Sequence, residues 1–86
     1  MLGQKVKELR ESNGLLQRQV AAHLEVDTAY IRKLENNEKS FSRNHLKKLS
    51  EIFNIPETDL ITLWLADKIY EVVKAEECGI KAIELI

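Results

Sequence analysis

Four cations, Arg32, Lys33, Lys39 and Arg43, crowd the middle of an 86-residue chain, and Thr28 and Ala29 stand one helical turn before the first two. Positions 28, 29, 32 and 33 leave the same face of a helix. Arg and Lys donate charge-assisted hydrogen bonds to phosphates and to guanine, and the methyl groups of Thr and Ala suit thymine. Lys39 and Arg43 flank that face, with Ser40, Ser42 and Asn44 as weaker donors nearby. Other chemistries are poorly supplied. His23 and His45 have no cysteine or paired carboxylate at ligand spacing and are expected on polar helix faces, so neither catalysis nor a metal site is expected. The one cysteine, Cys78, permits no internal disulfide or thiolate cluster and reads as a small interface residue. Glu71, Glu76 and Glu77 read as a solvated face. Neither an enzyme nor a cofactor is expected.

The elements that must hold the basic face follow from apolar spacing. Residues 17–24 form a helix with Val20, Ala21 and Leu24 on one side. A second helix runs from a capping Asp27 to about residue 35, with Ile31 and Leu34 inward. Glu25 and Val26 leave almost no slack between them, so the helices cross steeply. That is the arrangement of a helix-turn-helix, whose second helix enters the DNA major groove.

Before this pair, Leu2, Val6 and Leu9 mark an amphipathic helix stopped at Ser12, Asn13 and Gly14. After it, residues 36–40 form a loop and Ser42 caps a helix through residue 53 bearing Leu46, Leu49, Ile52 and Phe53. Pro56 separates this from a fifth helix.

The fifth helix, beginning near Glu57, carries two apolar stripes. Leu60, Leu63 and Trp64 form one; Ile61, Leu65, Ile69, Val72 and Val73 form the other. A surface helix of a small domain needs only one. The second must be covered either by another copy of the chain or by residues 80–86 folding back, and Ile80 and Ile83 join the expected self-association face. The resulting organisation is all-α: a DNA-binding bundle over residues 1–56, and a fifth helix with a C-terminal helical dimerisation segment over residues 57–86, in one compact domain.

The net charge of −1 conceals a division. Residues 1–55 carry ten Lys/Arg against seven Asp/Glu, and residues 56–86 carry three against seven. Screening confines electrostatics to roughly 10 Å at moderate salt, so the local excess of cations around the helix pair outweighs the total. The uncharged run over residues 60–66 is too short to span a bilayer and no basic-then-apolar leader opens the chain, so a soluble protein of a reducing cytoplasm is expected.

Across residues 6–55 the chain resembles the lambda-repressor-like, Cro/repressor-type (xenobiotic-response-element) helix-turn-helix regulators. The markers are Leu9-Arg10, Gln17 with Val20-Ala21, Val26, Tyr30-Ile31, Leu34-Glu35 and the segment 46–49. The resemblance implies a compact five-helix DNA-binding fold. It assigns base reading to Thr28, Ala29, Arg32 and Lys33, and phosphate contacts to Gln17, Arg18, Tyr30, Lys39, Ser40 and Arg43. It also implies an ion pair between Arg10 and Glu35 that orients the reading helix. Two positions depart from the family pattern: Glu25 stands where glycine is usual in the turn, and Leu16 stands where a small capping residue is usual.

The function implied is a homodimeric regulator of transcription that binds a palindromic double-stranded operator, without a membrane partner or small-molecule effector. Phage-type repressors, self-repressing antitoxins and controllers of restriction–modification operons all fit. The competing expectation is a protein-interaction adaptor or antitoxin-type module that uses the same fold; the basic outer face of the third helix argues against it.

Overall fold

A computed structural model describes residues 1–86 as six helices and no strands: α1 (Leu2–Ser12), α2 (Gln17–Leu24), α3 (Thr28–Glu35), α4 (Arg43–Phe53), α5 (Glu57–Val73) and α6 (Gly79–Leu85). The apolar spacing of each segment explains what it buries. Leu2 and Val6 of α1, Val20, Ala21 and Leu24 of α2, Ile31 and Leu34 of α3, Leu46, Leu49 and Phe53 of α4, and Leu60 of α5 join Phe41 in one core. Five helices therefore share a single apolar centre, and α6 lies outside it.

The first four helices stop in the same way. Each is followed by one left-handed residue: Gly14 (φ +67°), Glu25 (φ 59°), Asn37 (φ 62°) and Asn54 (φ 52°). The next residue then donates its N–H back to a carbonyl in the last turn: Leu15 to Arg10, Val26 to Ala21, Glu38 to Lys33 and Ile55 to Ser50, at 2.8–3.1 Å. This is the Schellman arrangement, which satisfies terminal carbonyls that the helix leaves unpaired. Leu15, Val26 and Ile55 also pack against the core, so three of these stops are pinned by burial. Only the stop at Glu25 uses a residue badly suited to a left-handed backbone, and it lies between α2 and α3.

The helix starts are set individually. Asp27 Oδ1 accepts the Tyr30 N–H at 2.7 Å at the head of α3. Ser42 and His45 close a reciprocal cap on α4: Ser42 Oγ accepts the His45 N–H at 3.2 Å, and His45 Nδ1 accepts the Ser42 N–H at 3.1 Å. Leu16 has no side-chain acceptor to offer α2, but Gln19 Oε1 returns to the Leu16 N–H at 2.7 Å and supplies half of a capping box. For α1 the cap comes from across the molecule, where Asp67 Oδ2 of α5 accepts the Leu2 N–H at 2.9 Å.

α5 is docked on the bundle through its first three turns and runs past it afterwards. Leu60 is fully buried, and Ile61, Leu63 and Trp64 pack against the core. Beyond Asp67, Ile69, Tyr70 and Val72 are exposed, and the molecule measures 42 × 25 × 21 Å. α6 turns back against the end of α5, with Gly79 buried against the Val73 backbone.

This placement corrects the expected apolar stripes. Ile61 is half-buried in the chain's own core and Val73 is half-buried beside Gly79, so neither is fully presented outward. Leu65, Ile69, Val72, Ile80 and Ile83 remain exposed, at 44–75% of their surface. Residues 80–86 therefore do not cover the second stripe. α6 is too short and lies too near the end of α5 to reach Leu65. No helix is long and apolar enough to cross a membrane.

Candidate nucleic-acid interface

α3 is held by its apolar side. Ile31 and Leu34 are 1% and 0% exposed, resting on the core that includes Val20, Ala21 and Leu24 of α2. Helical geometry then sends Ala29, Arg32 and Lys33 to solvent, with Thr28 half-buried at the first turn. The four side chains expected to read base edges thus occupy the solvent side of one short helix, and the face opposite to them is locked.

The end of α3 is fixed to α1 and α2 by one carboxylate. Glu35, only 4% exposed, accepts Arg10 Nε at 2.7 Å, Arg10 Nη2 at 3.2 Å and Gln17 Nε2 at 3.1 Å. Arg10 Nη1 adds a bond to the Leu15 carbonyl at 3.0 Å, which fastens the turn between α1 and α2. The hydrogen bond that Arg10 donates to Glu35 is the main cause that raises the Arg10 pKa, against the opposing effect of burial, and the guanidinium stays charged. Gly3 lets α1 approach this junction: a Cβ there would lie 2.6 Å from the carbonyl oxygens of Leu34 and Glu35. No buried side-chain nitrogen or oxygen lacks a partner.

This arrangement changes what Gln17 presents. Its amide is turned inward to Glu35, so its outward contribution is its backbone N–H, which with that of Arg18 has no partner within the chain. Unpaired N–H groups at a helix start favour an anion. Arg18 is exposed beside them.

The remaining expected phosphate contacts bracket a buried aromatic residue. Lys39 and Ser40 precede Phe41 in the α3–α4 loop and Arg43 opens α4; all three are exposed while Phe41 is 5% exposed. Trp64 of α5 donates its indole N–H to the Phe41 carbonyl at 2.8 Å. The Arg43 guanidinium lies 5.2 Å from the centre of the same ring, and Lys68 Nζ lies 4.4 Å from it. Tyr30 is half-buried, its ring meeting His45 edge-on at 6.3 Å between α3 and α4.

His45 is not on a polar face, contrary to the sequence expectation. It is half-buried, edge-on to both Tyr30 and Phe41, and accepts a backbone hydrogen bond as the capping partner of Ser42. Burial, and secondarily the charge of Lys48, lower its pKa. The spacing Ser42-x-x-His45 was the available signal, but histidine is an unusual third residue for such a box. Phe41 and Trp64 were missed as supports of the loop. An aromatic residue between polar neighbours in a loop, as Phe41 is, gives only a weak hint of an anchor.

A family model described as a helix-turn-helix domain matches residues 3–65, which takes in α1 to α4 and the docked half of α5. No curated protein and no solved structure matches the chain.

Proposed function

The chain belongs to the helix-turn-helix regulator family, of the Cro-like type, and on that premise we propose that it is a homodimeric, sequence-specific regulator of transcription, a repressor or autoregulator acting in the cytoplasm on a palindromic operator. The observation that carries this reading is α3 itself: Ile31 and Leu34 are sealed in the core while Ala29, Arg32 and Lys33 stand in solvent. Thr28, Ala29, Arg32 and Lys33 read base edges in the major groove. The N–H groups of Gln17 and Arg18, the Arg18 side chain, the Tyr30 hydroxyl, Lys39, Ser40 and Arg43 hold phosphates on either side.

Self-association uses the apolar face that the chain leaves open, Leu65, Ile69, Val72, Ile80 and Ile83, with Ile61 and Val73 at its half-buried margin. Two copies joined there present two reading helices about 34 Å apart, one turn of duplex. Operator occupancy then follows the concentration of the chain through dimerisation.

A mobility shift on DNA upstream of the chain's own gene, at two salt concentrations, tests this. Specific binding that weakens steeply with salt supports it. If specific binding is absent and residual binding is insensitive to salt, the same exposed face on α5 and α6 points instead to a protein-interaction module.

A further inference from the structure

From the placement of Trp64 we infer that it is a positioning residue for the phosphate contacts, and that α5 links those contacts to self-association. Three observations meet at this one side chain. Its indole N–H holds the Phe41 carbonyl at 2.8 Å, in the middle of the loop that carries Lys39 and Ser40. Its ring holds the Arg43 guanidinium at 5.2 Å, on the first residue of α4. Its neighbour in sequence is Leu65, 44% exposed, where the open apolar stripe of α5 begins.

The physical content is a short lever. An exposed loop lysine or serine keeps one orientation only if the backbone beneath it is tied down. Lys39 is anchored from the α3 side by its own N–H on the Lys33 carbonyl at 3.3 Å, and Ser42 from the α4 side by His45; between them the loop is tied by the burial of Phe41 and the bond from Trp64 to its carbonyl. An arginine resting on a ring can keep its N–H edge available for a phosphate, which a lysine in the same place cannot match. Lys68, one turn further along α5 and 4.4 Å from the ring, adds a second cation to that site. Adjacent residues of a helix point about 100° apart, so Trp64 faces the loop while Leu65 faces outward. A shift of α5 on pairing with a second copy is therefore felt at the loop, because the α5 segment between the two contacts is a single continuous helix.

This rests on the DNA-binding reading, and its test separates the two. The wild-type chain and Trp64→Phe are titrated, at several salt concentrations, with a duplex enriched by the wild-type chain from a random-sequence pool. Phenylalanine keeps an aromatic ring and removes the indole donor. Affinity is expected to fall roughly fivefold, the worth of one ordinary hydrogen bond, and the slope of log affinity against log salt to flatten by about one phosphate contact. A wild type that binds no duplex overturns both readings. A wild type that binds, with Trp64→Phe matching it in affinity and salt slope, overturns the positioning role alone.

Trp64 is the sole tryptophan, so its emission gives a second measurement on the unaltered chain, which holds if Trp64→Phe does not fold. Saturation with duplex is expected to change that emission in the wild type and to change it less in Arg43→Gln, which loses the cation on the ring but keeps the bond to the Phe41 carbonyl. An unchanged wild-type emission contradicts the inference.

Discussion

Arg10 and Glu35, 25 residues apart in sequence, are joined by two hydrogen bonds between one guanidinium and one carboxylate, at 2.7 and 3.2 Å. The same carboxylate takes the Gln17 amide, so α1, the start of α2 and the end of α3 converge on a single side chain. Both partners are withdrawn from solvent, with side chains 11% and 2% exposed. Glu35→Ala leaves a buried guanidinium without its anion and is expected to destabilise the fold by about 3–5 kcal/mol. Replacing both residues by apolar ones, Arg10→Met with Glu35→Leu, is expected to cost clearly less than Glu35→Ala. Denaturant melts of the variants decide this, and equal losses would mean that an uncompensated guanidinium is not what costs stability.

Glu25 occupies a left-handed backbone, φ 59° and ψ 41°, at the joint of the helix pair. Its side chain is 83% exposed and its carboxylate lies 3.8 Å from Lys48 Nζ, a surface pair worth little. Glu25→Gly is therefore expected to stabilise the chain by about 1 kcal/mol through relief of backbone strain. For a domain of this size that is about 4–8 °C in Tm. Thermal melts that show no gain would contradict the strain.

His45 supplies a pH dependence whose sign is fixed by its surroundings. Burial first, then Lys48, lower its pKa from the ordinary value of 6.5. The unfolded chain therefore binds this proton more readily than the folded one. Its contribution to stability is complete above about 6.5 and is lost as the pH falls toward the lowered folded value. Protonation also removes the Nδ1 acceptor that caps Ser42. His45→Gln, whose amide oxygen can accept the same N–H, is expected to flatten this part of the profile in urea melts across pH 5–8. A wild-type profile that His45→Gln leaves unaltered would show that the titration lies elsewhere.

The helices and their stops were largely legible in the sequence because each is a local event. The spacing of Val20, Ala21 and Leu24 or of Leu46, Leu49 and Phe53 has one reading, and Asp27 and Ser42 announce the starts of α3 and α4. The left-handed backbone at Glu25 was signalled by the resemblance, which places glycine at that turn position. What could not be read was which of two non-local partners a side chain would take. Gln17 could turn to a phosphate or to Glu35, and the fold turns its amide inward. Ile61 lies on the same wheel stripe as Leu65, but it packs half-buried against the core while Leu65 is exposed. Trp64 read as core alone because nothing in the sequence ties an indole N–H to a carbonyl 23 residues away.

Reading and holding are expected to separate by substitution. Arg32→Gln, on the solvent face of α3, should cost about 1–3 kcal/mol on the preferred duplex and relax discrimination at one base pair. Lys39→Gln, in the loop before Phe41, should weaken binding evenly across sequences and lower the salt slope by about one. Competition titrations against single-base variants of the duplex distinguish these outcomes. A uniform loss from Arg32→Gln would move that residue from base reading to phosphate contact.

The stoichiometry of the chain on DNA tests the central claim most directly, because a dimeric reader must place two reading helices on one duplex. Sedimentation velocity of the chain with its enriched duplex, at low and moderate salt, measures it. The expected result is two chains per duplex, steep weakening with salt, and loss of the two-chain species in Ile69→Glu, which puts a charge into the open face of α5. One chain per duplex in the wild type, or no duplex binding at either salt, would contradict it.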